Sequence, residues 1–257
     1  MGQNPDTEHR WPTSRPEVRT SPLEVWQSRF PWTVAGMTLR APGAQHPNFG
    51  LYTQLPAGEA MEAWRALVDE VGARAAVHSR QVHGDRVAVH GAEEPPGDGL
   101  WIAGDGDGHV TDRTGVLLTV TVADCVPVFV LDPVRRAIAL LHAGWRGAAA
   151  GIVERGFSEL SAAYGSDPRD CWVHLGTSIC GSCYEVGPEV RHAFGLPPAP
   201  TLDLRRVLAS KAHSTGIPSG QITVDHDCTL CGQDRYFSHR GGDPGRQVAF
   251  LMMRDPA

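Results

Sequence analysis

The segment from Gly115 to Leu131, GVLLTVTVADCVPVFVL, limits the possible folds more than any other part of this chain. It is rich in Val and Thr, and Asp124 is its one charged residue. Uncharged runs of β-branched residues are typical of strands that are buried on both faces. Asp124, Cys125 and Pro127 interrupt the run, so the sequence predicts two buried strands that meet at a functional break.

Five further segments complete the predicted fold. Glu59–Ala73 places apolar side chains at helical spacing and predicts an amphipathic helix. The short apolar strand Ala137–Leu141 leads through HAGWRG into Ala148–Tyr164, which has the composition of a helix. Trp172–Leu175 and Gln247–Met253 are later strand candidates. The pattern predicts an α/β chain, mixed α+β, in which helices flank the mixed β-sheet core of a single domain.

The first 23 residues differ in composition from the rest of the chain. They mix Pro, Ser, Thr and charged residues without apolar periodicity, which predicts a disordered N-terminal tail over residues 1–23. The remainder contains neither an internal repeat nor a clear linker, so residues 24–257 are predicted to form one domain. An apolar fraction of 41% over 257 residues is sufficient for an ordinary buried core.

The charge balance and the hydropathy argue against two classes of partner. The formal net charge is −6, so no basic excess is available to displace counterions from a nucleic acid. No apolar run approaches the roughly 20 residues that span a bilayer, and the start of the chain lacks the apolar core of a secretory signal. The sequence therefore predicts a cytoplasmic protein that binds small molecules, and neither nucleic acid nor membrane.

Three short segments concentrate metal-binding atoms where the chain leaves strand-like runs. They contribute His83 in QVHG, Cys125 in ADC and His142 in HAGWRG. Two imidazoles and a thiolate are good zinc ligands, and three protein ligands with a fourth position left to water are typical of a catalytic site. The spacing matches no compact zinc finger, so the pattern alone also permits a core cysteine and unrelated histidines.

Two CxxC pairs, Cys180–Cys183 and Cys228–Cys231, suggest a different metal site. Four thiolates would form a closed structural zinc site. The gap between the pairs is far longer than the 15 to 20 residues of common zinc ribbons. We therefore expect ordinary free thiols here, because a reducing compartment also disfavours disulfides.

Five segments together resemble the signature segments of the laccase-domain family, which is also described as polyphenol oxidase or purine nucleoside phosphorylase and includes bacterial peptidoglycan editing factors. The resemblance runs from about Phe30 to Met253, and the pairing of ADC with HAGWRG is highly specific. In chain order the segments are QVHGDRV, DGHVTDRTGVLLTVTVADCVPVFVLDP, AIALLHAGWRGAAAGIVE, LGTSICGSCYEVGPEV and DCTLCGQDRYFSHRGGDPGR.

The resemblance implies a laccase-like catalytic domain whose metal ligands are His83, Cys125 and His142. Zinc is the implied metal, with copper possible. The family's arginine-bearing segments correspond to GMTLR and FSHR, which assigns substrate binding to Arg40 and Arg240. The residues that follow Arg40 depart from the family pattern. Arg146 is a further candidate for phosphate, because guanidinium groups bind phosphate through two parallel hydrogen bonds.

The family implies a purine nucleoside phosphorylase that acts on adenosine, inosine and methylthioadenosine, with some adenosine deaminase activity. A copper-dependent, laccase-type polyphenol oxidase is one alternative, although a conventional multicopper centre would need more paired histidines. A second alternative is an amidase in peptidoglycan precursor editing, in which Cys125 is the nucleophile and His83 or His142 is the base. Asp124, expected to orient a histidine, and Glu185 are candidate proton carriers.

Overall fold

The computed structural model describes residues 16–40, 47–52, 57–91 and 99–255. The described chain forms two mixed six-stranded sheets. The first sheet contains, in spatial order, β1 (Arg19–Pro22), β2 (Thr33–Leu39), β12 (Gln247–Met253), β7 (Val116–Val122), β3 (Ala75–Arg80) and β5 (Gly99–Asp105). The second contains β11 (Ile222–Val224), β10 (Trp172–Leu175), β8 (Val126–Asp132), β9 (Ala137–Ala143), β6 (Gly108–Thr111) and β4 (Val87–His90).

Six α-helices accompany the sheets within the described residues. They are α1 (Glu24–Arg29), α2 (Ala57–Val71), α3 (Trp145–Ala150), α4 (Ile152–Tyr164), α5 (Pro188–His192) and α6 (Leu204–Ser214). The mixed α+β single domain predicted from the sequence is thus confirmed, with its strands divided between two sheets.

Three apolar clusters hold the layers together. Trp64 and Leu67 of α2 pack against the outer face of the first sheet, where they contact the cluster of Phe250. Between the sheets, Leu118 of β7 shares a cluster with Leu140 of β9. A third cluster packs α4 and α6 onto the outer face of the second sheet. The order of layers is therefore helix, sheet, sheet, helices.

The two strands predicted from Gly115–Leu131 are confirmed as β7 and β8, and they lie in different sheets. The break at Ala123, Asp124 and Cys125 is where the chain crosses from one sheet to the other. Asp124 adopts a positive φ of 88°, a conformation that is uncommon for residues other than glycine. The crossing places Cys125 at an edge of the sheet pair.

The predicted helix Ala148–Tyr164 is present but is divided. Gly151 has a φ of 99°, which ends α3 and begins α4. Glycine adopts this left-handed conformation without the steric cost of a Cβ atom. The break lets α3 start directly after β9, close to His142, while α4 lies along the second sheet.

Part of the predicted N-terminal tail has regular structure. Residues 19–22 form β1, which pairs antiparallel with β2 from Arg19↔Leu39 onward. The side chains of this strand are mostly exposed, so its sequence carries no apolar alternation that would have indicated a strand. The first 15 residues lie outside the described part, as do residues 41–46 and 53–56 of the segment that follows Arg40. Among the described helices, none has the length and apolarity required to cross a membrane.

Candidate metal centre

Three elements bring the predicted ligands together. His83 lies in the loop after β3, Cys125 lies at the crossing between β7 and β8, and His142 lies near the end of β9. The ligand atoms of these three residues all lie within 4.8 Å of one another. His142 is buried, Cys125 is half-buried and His83 is exposed, so the cluster opens to solvent on one side.

Asp107, which directly precedes β6, organises this cluster. Its Oδ1 lies 2.8 Å from Nδ1 of His142, and its carboxylate accepts hydrogen bonds from the backbone N–H groups of Val82, His83 and Gly84. These contacts outweigh burial, which alone would raise the pKa of Asp107, and hold that pKa below its ordinary value. Because Nδ1 of His142 is engaged by Asp107, its Nε2 is directed to the cluster, the arrangement seen at zinc-ligating histidines.

The loop that carries His83 has an uncommon backbone conformation and one further attachment, to β7. His83 has a positive φ of 59°, which the three amide contacts with Asp107 stabilise. Two residues earlier, Gln81 donates from Nε2 to the carbonyl oxygen of Thr121 and accepts at Oε1 from the Thr121 amide. The QVHG segment is therefore fixed to β7 by its glutamine and to Asp107 by its backbone.

Two glycines of HAGWRG leave room for the cluster. A Cβ atom on Gly144 would lie 3.0 Å from Cδ2 of His83 and 3.1 Å from Sγ of Cys125. A Cβ atom on Gly147 would lie 2.6 Å from the carbonyl oxygen of Gly84. The close approach of α3 to the QVHG loop thus requires glycine at Gly147, whereas a methyl group at Gly144 would displace His83 or Cys125.

Cys125 and His142 form a coupled acid–base pair in the metal-free protein. Burial would raise the pKa of the Cys125 thiol, but His142 and His83 outweigh it and lower the pKa to about 6. Burial would lower the pKa of His142, whereas Cys125 and Asp107 raise it to about 9. Cys125 is therefore a thiolate at neutral pH, and the thiolate is both the metal ligand and the nucleophilic form of cysteine.

A cavity of about 300 Å³ opens beside this cluster. Among the described residues its wall contains all three predicted ligands together with the side chains of His239 and Arg246. Burial lowers the pKa of the Arg246 guanidinium, and the charges of Cys125 and Asp124 act in the opposite direction. The other wall residues are Gly50, Leu51, Tyr52, His78, Gln81, Thr121 and Ala123.

None of the three arginines predicted to bind substrate is among the described residues of the cavity wall. Arg40 forms an ion pair with Asp243 at 3.1 Å and donates to the Gln233 carbonyl oxygen. Arg240 donates from Nη1 to the carbonyl oxygen of Glu185. Arg146 is exposed and its guanidinium stacks 4.5 Å from the centre of the Trp145 ring.

Arg146 and Arg240 share one neighbour, Tyr184. Burial and the nearby Cys125 together raise the pKa of Tyr184 to about 12, although Arg240 and Arg146 act in the opposite direction. The guanidinium of Arg240 also lies 5.4 Å from the centre of the Tyr184 ring. The two arginines and the metal cluster therefore influence the same phenol.

The two candidate proton carriers have other contacts. The Asp124 carboxylate accepts from Thr229 Oγ1 at 2.6 Å, Ser238 Oγ at 2.8 Å and the Arg240 amide at 2.7 Å. The expectation that Asp124 orients a histidine is corrected by these contacts, because all three donors lie in the segment after β11. The histidine-orienting role falls to Asp107. Glu185 is exposed.

Sequence reasoning missed three residues of this site. Asp107 stands in the glycine-rich stretch GDGDGH, and its position between two glycines before a buried strand is the signal that indicates a backbone-binding carboxylate. His239 adjoins the predicted Arg240, and Arg246 ends the same resembling segment. The resembling segment therefore contained both His239 and Arg246. Choosing among its cationic residues requires knowledge of which side chains face the cavity.

The two CxxC pairs lie next to each other in the structure. All six cysteines lie in the described part of the chain and none is in a disulfide, as expected. The pairs are not separate thiols, however, because the sulfur atoms of Cys180, Cys183, Cys228 and Cys231 all lie within 4.8 Å of one another. Spacing along the chain does not predict this proximity, because parallel pairing of β10 with β11 makes distant segments adjacent.

Comparison with known sequences identifies related proteins. The family described as multi-copper polyphenol oxidoreductase laccase matches residues 35–254. The purine nucleoside phosphorylase YlmD of Geobacillus stearothermophilus is 34% identical over 165 residues, which cover 58% of this chain and 60% of that protein. Purine nucleoside phosphorylase LACC1 of Homo sapiens is 30% identical over 177 residues, 61% of this chain and 41% of that protein. The chain thus spans less than two thirds of the length of these relatives.

Solved structures show the same fold. The Bacillus licheniformis hypothetical protein YfiH superposes with a TM-score of 0.81 at 27% identity, covering 94% of this chain and 98% of that one. YlmD from Geobacillus stearothermophilus superposes with a TM-score of 0.79 at 29% identity, covering 88% of this chain and 93% of that one. The two-sheet architecture is therefore shared across nearly the whole chain.

Proposed function

This chain belongs to the multi-copper polyphenol oxidoreductase laccase family, and on that premise we propose that it is a metal-dependent purine nucleoside phosphorylase. Its relatives YlmD and LACC1 bear the name purine nucleoside phosphorylase. The proposed substrates are adenosine, inosine and methylthioadenosine, each with inorganic phosphate. Deamination of adenosine is proposed as a second activity of the same site.

The observation that carries this proposal is the composition of the cavity wall. It combines the cluster of His83, Cys125 and His142 with the cationic side chain of Arg246 and the imidazole of His239. Phosphorolysis requires an oxyanion to be held against C1′ of the ribose while the base departs. A guanidinium beside an imidazole offers charge-assisted hydrogen bonds to such an oxyanion.

The donor set fits a single metal ion with one position left for substrate. Two imidazoles and one thiolate suit zinc, and copper accepts the same donors. Asp107 fixes the tautomer of His142, and Gly144 provides the space in which His83 and Cys125 approach each other. When bound, the metal supplies a Lewis acid that stabilises negative charge developing on a substrate oxygen.

We assign the remaining roles to residues of this chain. Arg246 holds phosphate in the cavity, and Arg146 and Arg240 add positive potential at its outer side near Tyr184. Arg40 acts on the substrate through its ion pair with Asp243, because Asp243 accepts from the amide of Ser238, the residue before His239. Substitution of each arginine is therefore expected to change the phosphate dependence of the reaction to a different extent.

The test is the release of base from inosine by metal-loaded protein with and without phosphate. We expect hypoxanthine and ribose 1-phosphate in equal amounts, because phosphate takes the place of the base at C1′. Hypoxanthine release at the same rate without phosphate would mean that the reaction is hydrolytic. With adenosine as substrate, formation of inosine and ammonia measures the proposed deamination.

A cysteine hydrolase is the second candidate, and one observation favours it. Cys125, His142 and Asp107 form a chain in which the thiol contacts His142 and His142 contacts Asp107. A nucleophile, a base and a group that orients the base are the parts of a covalent hydrolase. An amidase acting on a peptidoglycan precursor would use these residues without a metal. The two candidates differ in the state of the Cys125 thiol.

A further inference from the structure

Two cysteine pairs follow two neighbouring parallel strands. β10 is paired in parallel with β11, from Val173↔Ile222 to Leu175↔Val224. Cys180–Cys183 follows β10, and Cys228–Cys231 follows β11 after a similar number of residues. The pairing continues at an isolated parallel bridge between Ser178 and Cys228, where the Thr229 amide donates to the Ser178 carbonyl oxygen at 3.2 Å. The two CxxC turns therefore lie side by side.

Each pair is held in a tight turn that directs its sulfur atoms to the same side. The amides of Cys183 and Tyr184 donate to the carbonyl oxygen of Cys180 at 3.1 and 3.0 Å. In the second turn the Gly232 amide donates to the carbonyl oxygen of Cys228 at 2.9 Å. Both turns keep the first and fourth residues close, as two ligands of one metal ion require.

The sulfur geometry fits a tetrahedral metal site. The four Sγ atoms all lie within 4.8 Å of one another, and those of Cys183 and Cys231 are 3.5 Å apart. A disulfide requires about 2.05 Å. Four sulfurs at about 2.3 Å from a zinc ion lie about 3.8 Å from each other. The distances therefore match four ligands of one cation.

Two backbone amides are directed at one sulfur in this cluster. The amide of Cys180 lies 3.2 Å from Sγ of Cys228, and the amide of Cys231 lies 3.5 Å from the same sulfur. Cys228 is buried. Backbone N–H groups directed at the sulfur of a cysteine are the donors that a metal-ligating sulfur can accept while it binds an ion.

We propose that Cys180, Cys183, Cys228 and Cys231 bind one zinc ion in a second, structural metal site. All four positions come from the protein, so no position is left for substrate, in contrast to the cluster of His83, Cys125 and His142. Binding releases the thiol protons to solvent and leaves the oxidation state of sulfur and metal unchanged. This proposal does not depend on the reaction at the other site.

The second site would fix the loops that support the first. Thr229, inside the second turn, donates to Asp124 Oδ1 at 2.6 Å, and the Ile179 amide donates to the Asp124 carbonyl oxygen at 3.1 Å. Asp124 adjoins Cys125. A zinc ion between the turns therefore joins both loops that hold the crossing between the two sheets.

The first experiment is metal analysis of the full chain, purified without chelator from zinc-supplemented medium. We expect two zinc ions per chain in the wild type and one in a His83→Ala, His142→Ala double variant. A Cys183→Ser, Cys231→Ser double variant should lose one zinc ion. Cys171→Ser is the matched control, because Cys171 is a buried cysteine outside both clusters, and it should retain two.

A single zinc ion in the wild type that persists in the Cys183→Ser, Cys231→Ser variant would overturn the proposal. If the serine variant does not fold, the double histidine variant still decides, because it leaves the four cysteines intact. X-ray absorption at the zinc edge of that variant should show four sulfur ligands at about 2.3 Å. Nitrogen or oxygen ligands, iron in place of zinc, or the mass loss of a disulfide would each contradict the proposed site.

Discussion

Nδ1 of His142 lies 2.8 Å from Oδ1 of Asp107, and both side chains are almost completely buried. The same carboxylate receives three backbone amides from the QVHG loop, so Asp107 orients one proposed ligand and holds the loop of another. A buried carboxylate behind a histidine raises the basicity of the ring and restricts its rotation. The metal affinity of this cluster should therefore depend on a residue that does not touch the metal.

We predict that Asp107→Asn weakens zinc binding at the first site by about 10- to 100-fold, the usual effect of losing such a carboxylate. The affinity is measured by competition with a chromogenic chelator. Asp105→Asn is the control. Asp105 lies only two residues before Asp107, but its carboxylate is exposed and forms an ion pair with Arg80. Equal affinities in wild type and Asp107→Asn would contradict the orienting role, and melting temperatures show whether either variant is unfolded.

We predict that Gly144→Ala also lowers zinc affinity at the first site. The added methyl group would lie 3.0 Å from the His83 ring and 3.1 Å from the Cys125 sulfur, so one of these ligands must move. Gly220→Ala is the control, since its methyl group meets no atom within 4 Å. Unchanged metal affinity in Gly144→Ala would mean that the two ligands tolerate displacement, and the glycine would then serve only the approach of α3.

The fold followed from the sequence more completely than the site did. β7, β8, β9 and β12 consist mostly of apolar residues, and burial on both faces leaves a strong signal. The division into two sheets did not follow, because a break at Asp124 can turn a strand within one sheet or pass it to another. The roles of Asp107, Arg246 and the four clustered cysteines depend on which distant segments become neighbours, and local patterns can mark such residues but do not identify their partners.

We predict that Arg246→Ala raises the KM for phosphate by about 10- to 100-fold, because hydrogen bonds involving a charged group contribute about 1.5–3 kcal/mol. The KM for inosine should change much less. Initial rates at saturating inosine and varied phosphate measure the effect. Arg80→Ala is the control, since Arg80 is exposed and paired with Asp105 outside the cavity. Equal rises in both KM values would mean that Arg246 maintains the shape of the cavity rather than binds phosphate.

Arg146→Ala should weaken phosphate use in the same assay, and Arg146→Lys should as well, because lysine lacks the two-pronged geometry of guanidinium. The expected loss is smaller than for Arg246→Ala, since Arg146 is exposed and stacks on Trp145 outside the described cavity wall. A larger loss at Arg146 than at Arg246 would reverse the proposed order of the two arginines. Unchanged kinetics in both Arg146 variants would remove this residue from the proposed site.

The last prediction separates metal chemistry from a cysteine nucleophile. Metal-free Cys125 has a pKa of about 6, so iodoacetamide should label it fast at pH 7 and more slowly as the pH falls through 6 and the thiolate is protonated. In zinc-loaded protein the metal engages the sulfur, so labelling should be slow at every pH. Cys171 is the internal control, because burial raises its pKa well above the ordinary value. Peptide mass spectrometry measures the labelling of each cysteine, and nucleoside phosphorolysis is assayed on the same samples.

Fast labelling of Cys125 in fully metallated, active protein would reject the metal mechanism in favour of the hydrolase, because a ligating thiolate cannot attack at that rate.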